Sequence, residues 1–118
     1  SNAPTLPYRG TAAGGGYTTV EDLARFAAAL TPRRLVDARH TEILISGKVD
    51  AMDGRYAYGF IERRIGRRPS IGHGGNAPGM DGELLIFPSN GYVIAVLSNL
   101  DAPAAQFTAE FIANRLPE

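Results

Sequence analysis

Two uninterrupted apolar runs near the end of the chain constrain its fold more than any other feature. Glu83–Phe87 and Tyr92–Ser98 each have the composition of a strand, and the Pro-Ser-Asn-Gly segment between them is a strong turn signal. Neither run alternates between apolar and polar residues, so we expect both faces of the resulting sheet to be covered by other elements.

Two helices are predicted ahead of these strands. Val20–Leu30 carries apolar residues at helical spacing, and Thr19 is in place to cap its first turn. Asp37 is predicted to cap a shorter helix, Ala38–Ile45. The segment before both helices, Pro4–Gly16, is rich in Gly, Pro, Ala and Thr, which is typical of an arm or loop without a core face.

The middle of the chain predicts two more strands. Tyr58–Ile65 is the first, and Ser70–Gly75 follows it after a turn at Gly66–Pro69. We interpret Lys48–Arg55 and Asn76–Met80 as loops.

A third helix is predicted at the C-terminus. Asp101-Ala102-Pro103 is a typical helix start. We expect the following residues to form its inner stripe: Ala104, Phe107, Phe111 and Leu116. The predicted fold is α+β, an antiparallel meander of about four strands with helices before it and a C-terminal helix packed on it.

Composition excludes several classes of function. The 118 residues suit one domain, and we assign residues 1–3 to the remnant of an expression tag and residues 4–118 to a single domain. Twelve basic and twelve acidic residues give a net charge of zero, so nothing favours nucleic acid as a partner. The chain has no cysteine, and its longest apolar stretch, Val93–Leu97, is far short of the roughly 20 residues of a membrane span.

The glycine-rich segment around His73 is the candidate functional site. One imidazole among glycines is either an exposed side chain on an edge strand or a titratable group that faces a substrate. The two histidines lack the spacing of metal ligands, and no phosphate-binding glycine motif is present, so we expect no metal and no cofactor. The following serines have the context of turn or strand-edge residues rather than nucleophiles: Ser46, Ser70, Ser89 and Ser98.

Three segments together resemble the C-terminal portion of serine β-lactamases and penicillin-binding-protein-like hydrolases, including their esterase and peptidase branch. The first, Gly14–Phe26, is similar to the family's Gly-Gly entry into a helix. The second is Tyr58-Gly59-Phe60, where Ile61 replaces the family's second glycine. The third consists of Ile71–Gly79 and the strands that follow it, Leu85–Pro88 and Val96–Asn99.

The resemblance implies roles for four residues. The family's third active-site motif is Lys-Thr-Gly or His-x-Gly, and His73-Gly74-Gly75 matches the second form. By that match His73 helps bind the substrate and tunes proton transfer, while Gly74 and Gly75 line the substrate. The backbone amide of Asn76 becomes one oxyanion donor. The implied substrate is a small molecule or peptide, namely an ester, an amide or a β-lactam, and His in place of Lys favours esters or peptides.

The family's other two motifs are absent from the sequence. No serine has a lysine at the third following position, and no tyrosine has an asparagine at the second. We therefore expect a C-terminal portion of a larger β-lactamase-like domain, with the N-terminal lobe missing and no turnover by the chain alone. Whether the chain should be called an enzyme stays open. The alternative is a non-catalytic binding or interaction module derived from the same fold.

An incomplete sheet has consequences for partners. A strand edge without its neighbour pairs readily with another chain, so we predict a homodimer or a swapped assembly. The family resemblance implies a bacterial protein and leaves its compartment open, export included.

Overall fold

A six-stranded antiparallel sheet and three helices make up the described part of the chain. The computed structural model describes residues 2, 4, 6, 10–51 and 53–117. The elements in chain order are α1 (Val20–Leu30), α2 (Ala38–Ile45), β1 (Val49–Ala51), β2 (Gly54–Tyr56), β3 (Ile61–Ile65), β4 (Arg68–Ala77), β5 (Met80–Phe87), β6 (Tyr92–Ser98) and α3 (Ala104–Ala113). Each strand pairs with the next one in sequence, which confirms the predicted α+β meander.

The two N-terminal helices begin and end where local signals place them. The Thr19 side chain accepts a hydrogen bond from the backbone N–H of Asp22 at 3.2 Å, and the Asp37 carboxylate accepts one from the N–H of His40 at 2.8 Å. Both bonds satisfy amides that have no partner within the first helical turn. The predicted bounds of α1 and α2 are confirmed.

The sheet is covered on both faces, as the apolar runs predict. Alternate residues of β5 point to opposite sides. Leu84 and Ile86 belong to a core shared with α1 and α2, which we call the helical-pair face. Leu85 and Phe87 belong to a second core shared with α3, which we call the α3 face. Without the two layers of helices, β5 would expose one of these two apolar sets to water.

The inner stripe predicted for α3 is wrong at its two aromatic positions. Phe107 and Phe111 are 64% and 58% exposed. The fully buried positions are instead Ala105, Ala109 and Ala113. Small side chains let the helix axis lie close to β5 and β6, whereas phenylalanine rings at those positions would hold it away. The outer aromatic face is partly covered from within the chain, since the Arg115 guanidinium lies 3.5 Å from the centre of the Phe111 ring.

The loop predicted over Lys48–Arg55 is also wrong, because this segment forms the hairpin β1–β2. Its strands have three residues each, which is too short for apolar alternation to show in the sequence. Pairing with β3 explains why the hairpin forms, because Arg55 lies opposite Glu62 and Tyr56 lies opposite Ile61. Strand β3 therefore acts as the template on which the hairpin forms.

Other boundaries also differ from the prediction, among them the start of β4, which lies at Arg68 inside the turn predicted over Gly66–Pro69. The strand expected from Tyr58 begins at Ile61, since Tyr58–Phe60 forms a turn closed by the N–H of Ala57 donating to the carbonyl of Phe60 at 2.7 Å. The loop expected over 76–80 shrinks to Pro78-Gly79, because β4 runs to Ala77 and β5 starts at Met80. Gly79 has φ of 72°, the left-handed conformation that glycine adopts without strain.

The sheet ends in two unlike edges. Strand β1 is short and carries Asp50, whereas β6 has seven residues and no charged side chain. Long edge strands without charged side chains, such as β6, pair readily with other chains. The homodimer or swapped assembly stays a prediction. Among the described residues, no helix is long and apolar enough to cross a membrane.

Candidate functional site

Strand β3 pairs with only the first half of β4, and strand β5 pairs with the rest. The β4 residues that pair with β3 extend from Arg68 to Gly72, and those that pair with β5 extend from Ile71 to Ala77. From His73 to Ala77, the strand therefore has β5 along one edge and no strand of the described chain along the other. Alternate backbone groups of an antiparallel strand point away from each neighbour. We call this segment, His73–Ala77, the open half of β4.

A cleft of about 520 Å³ lies beside the end of this segment. That volume falls in the range of about 300–1,000 Å³ that is typical of small-molecule sites. The glycine-rich arm forms one wall, and the ends of three strands form the rest. The cleft is lined by Ala13–Thr18, Gly75–Ala77, Met80–Gly82 and Leu97-Ser98. Two of the predicted site residues, Gly75 and Asn76, therefore line the cleft. The arm predicted to have no core face forms another part of its wall.

His73 is exposed and makes two hydrogen bonds through its ring. It lies opposite Leu84 in the β4–β5 register, which places it on the helical-pair face. The Nδ1 atom makes a short hydrogen bond with the carbonyl oxygen of Gly74. The Nε2 atom lies 2.9 Å from the hydroxyl oxygen of Tyr56. Sequence reasoning missed Tyr56, which belongs to no motif and directly follows the segment interpreted as a loop, Lys48–Arg55.

The two predicted substrate glycines have different surroundings. A Cβ atom added to Gly74 would lie 2.4 Å from a carboxylate oxygen of Glu83, so this carboxylate occupies the space that a side chain would fill. A Cβ added to Gly75 would meet no atom within 4 Å. Gly74 is thus required by packing on the α3 face, whereas Gly75 borders open space beside the cleft.

A buried ion pair closes the α3 face beneath Gly74. The Arg63 guanidinium donates a short hydrogen bond to Glu83, and the two side chains are 9% and 5% exposed. Burial raises the pKa of the Glu83 carboxyl above its usual range. The positive charge of Arg63 opposes this increase, and the negative charges of Glu110 and Asp81 add to it.

The position of Asn76 depends on the turn that follows it. Asn76 lies opposite Asp81 in the register, one residue pair before Pro78-Gly79. The Asp81 carboxylate is buried and accepts a hydrogen bond from the N–H of Ala105 at 2.7 Å, at the start of α3. The N–H of Gly79 donates to Asp101 at 2.7 Å. The two carboxylates join the turn to α3 and so hold the end of the open half of β4 in place.

Two of the described serines donate hydrogen bonds to nearby backbone carbonyls. The Ser46 hydroxyl donates to the backbone carbonyl of Glu42 at 2.7 Å, and the Ser70 hydroxyl donates to the carbonyl of Arg63 at 3.2 Å. Both line a smaller cleft of about 250 Å³ between α2 and the sheet. Among the described residues, no group of three or more His, Cys, Asp or Glu side chains is arranged to hold a metal ion.

Comparison with known proteins agrees with this architecture. The sequence matches the family model described as Beta-lactamase over residues 1–116. A solved structure, the penicillin binding protein from Bacillus halodurans, superimposes with a TM-score of 0.82 at 25% sequence identity. The similarity covers 96% of this chain and 35% of that one, so the chain spans about a third of the length of this relative. A search of the curated proteins finds no match. With nearly its whole length matched by the family model, this chain belongs to the β-lactamase family.

Proposed function

We propose that this chain forms the substrate-binding wall of a serine hydrolase, and that the attacking serine comes from a segment outside these 118 residues. The observation that carries the proposal is the open half of β4. Its backbone is paired on one edge only, and its last residues line a cleft of small-molecule size. Membership in the β-lactamase family supports acyl transfer as the class of reaction.

Three residues of the open half have distinct roles in this proposal. Acyl transfer develops negative charge on the carbonyl oxygen of the substrate, and fixed backbone N–H donors stabilise that charge. The amide of Asn76 is the donor that this chain supplies, and Gly75 keeps the space beside it clear of side-chain atoms. His73 is exposed at the other end of the segment, where it binds the substrate and adjusts proton transfer near the leaving group.

The 118-residue chain does not form a covalent acyl intermediate alone. Covalent catalysis needs an activated nucleophile, and the sequence contains neither Ser-x-x-Lys nor Tyr-x-Asn. The expected substrates are esters, amides or β-lactams, with peptides and esters favoured. Because the chain corresponds to 35% of the penicillin binding protein that it resembles, most of such a hydrolase would lie outside it.

The test compares the 118-residue chain with the polypeptide that its whole gene encodes, which this proposal requires to be longer. Each is incubated with a fluorescent penicillin and with an activated ester, and covalent adducts are detected by intact-protein mass spectrometry. We expect no adduct on the 118-residue chain and a stable acyl adduct on the longer polypeptide. His73→Ala should slow acylation of the longer polypeptide by about 10²-fold, the size of effect typical of a group that assists proton transfer.

The chain offers a matched control in its second histidine. His40 lies on α2, is exposed, and hydrogen-bonds through Nδ1 to Asp37 at 2.8 Å, outside the cleft. His40→Ala should leave the acylation rate unchanged. Reversible binding of either probe without an adduct, in a longer polypeptide that has no Ser-x-x-Lys, would reject the hydrolase and support the non-catalytic binding module.

A further inference from the structure

We propose that Tyr56 is the positioning residue of His73, holding its imidazole in one tautomer and one orientation beside the open half of β4. This inference deepens the proposed function and takes its catalytic meaning from it. The observation is the bond between the Tyr56 hydroxyl and Nε2 of His73 at 2.9 Å, together with the contact of Nδ1 with Gly74.

The two partners of the ring determine which nitrogen carries the proton. A backbone carbonyl only accepts hydrogen bonds, so the contact between Nδ1 and the Gly74 oxygen requires the proton on Nδ1. A neutral imidazole then has its lone pair on Nε2. The Tyr56 hydroxyl must therefore donate to Nε2.

The ring of Tyr56 also fixes the orientation of the imidazole. The two ring centres are 5.6 Å apart and the ring planes are at 89°, which is an edge-to-face contact. Tyr56 is the last residue of β2 and lies opposite Ile61, the first residue of β3, which in turn lies opposite Gly72 next to His73. The hairpin β1–β2 thus places a side chain at the point where β3 stops covering β4.

The arrangement determines what a substrate meets at this end of the site. The Nε2 lone pair is already occupied by the Tyr56 hydroxyl, while the hydroxyl oxygen keeps acceptor capacity of its own. Both side chains are partly accessible, with Tyr56 36% exposed. A substrate group that approaches His73 along the open edge therefore meets the pair, and not an isolated imidazole.

The experiment records the imidazole nitrogen resonances of the 118-residue chain by ¹⁵N NMR at alkaline pH, where histidine is neutral. We expect His73 to show a protonated Nδ1 and a hydrogen-bonded, unprotonated Nε2. Tyr56→Phe keeps the ring and removes only the hydroxyl. It should move the Nε2 resonance to that of a nitrogen without a donor and populate the other tautomer, while the thermal unfolding midpoint stays close to that of the wild type.

Two references keep the result specific. Tyr58→Phe removes a hydroxyl from an exposed ring two residues away and should leave the His73 signals unchanged. His40 serves as an internal reference, because its Nδ1 bonds to Asp37 and is independent of Tyr56. A proton on Nε2 of His73 in the wild type, or an unchanged Nε2 resonance in Tyr56→Phe, would overturn the inference. Neither outcome depends on whether the longer polypeptide forms an acyl adduct, so the two proposals fail separately.

Discussion

The two faces of the open half of β4 differ in what lies against them. On the α3 face, Gly74 is covered by the Glu83 carboxylate, and Glu83 is held by Arg63. On the helical-pair face, His73 is exposed and Gly75 borders open space. The two adjacent glycines of the motif therefore serve different purposes. Gly74 makes room for the buried carboxyl group of Glu83, and Gly75 borders open space that the proposed function assigns to the substrate.

The α3 face supports the open half of β4. A strand that is unpaired along one edge has fewer backbone bonds to hold it in position. Here the ion pair beneath Gly74 and the carboxylate of Asp81 at the start of α3 supply fixed contacts on the opposite side. Rigid support of this kind keeps a binding segment in its working geometry.

Breaking the ion pair should have the largest effect. Arg63→Met and Glu83→Leu each leave one buried charge without its partner, and each should lower the free energy of unfolding by about 3–5 kcal/mol. The double variant replaces both charges with apolar groups of similar size and should recover most of that loss. Urea denaturation followed by circular dichroism gives the three values. If the free energy lost by the double variant equals the sum of the two single losses, Arg63 and Glu83 do not stabilise the α3 face as a pair.

The two glycines provide a sharper test with a built-in control. In Gly74→Ala the added methyl group lies 2.4 Å from Oε2 of Glu83, a side chain that Arg63 holds through its other carboxylate oxygen, so we expect a loss of about 1–3 kcal/mol. In Gly75→Ala the methyl group meets no atom within 4 Å, and stability should stay within about 0.5 kcal/mol of the wild type. The same urea measurement serves for both. If both variants lost the same free energy of unfolding, Gly74 would not be packed more tightly than Gly75.

Local signals predict the parts of the fold that depend on local interactions. Thr19 and Asp37 cap the first two helices, and a Pro-Ser-Asn-Gly turn precedes β6, so the bounds of α1, α2 and β6 agree with the sequence prediction. The sequence also places Gly75 and Asn76 together, and the structure adds a cleft beside them. The bounds of these elements follow from residues within a few positions of one another, whereas the cleft forms only when the arm and three strand ends come together.

The features that the sequence does not reveal depend on distant partners. Hydrophobicity favours Phe107 and Phe111 as the inner residues of α3, but the distance between helix and sheet selects Ala105, Ala109 and Ala113. The hairpin β1–β2 depends on pairing with β3, and no local pattern marks it. Tyr56 therefore becomes a neighbour of His73 only after three strands have come together, although 17 positions separate the two residues.

The smallest expected effect is the pH dependence of the stability that Glu83 contributes on the α3 face. Burial raises the pKa of Glu83 in the folded chain, so the folded state binds this proton more tightly than the unfolded state does. The contribution of Glu83 to stability should therefore fall as the pH rises from the usual carboxyl pKa toward the raised one. The exposed Asp37 behaves in the opposite way, because hydrogen bonds from the backbone and side chain of His40 lower its pKa, and its contribution is lost on acidification.

The double variant Arg63→Met/Glu83→Leu isolates this response, since it keeps Asp37 and removes only the buried pair. Urea midpoints measured over a series of pH values should show the wild type losing stability relative to the double variant as the pH rises through that window. A relative gain over the same window would mean that the attraction of Arg63 outweighs the burial of Glu83. The α3 face would then be most stable when the Glu83 carboxylate is ionised, and acidification would destabilise the contacts that support the open half of β4.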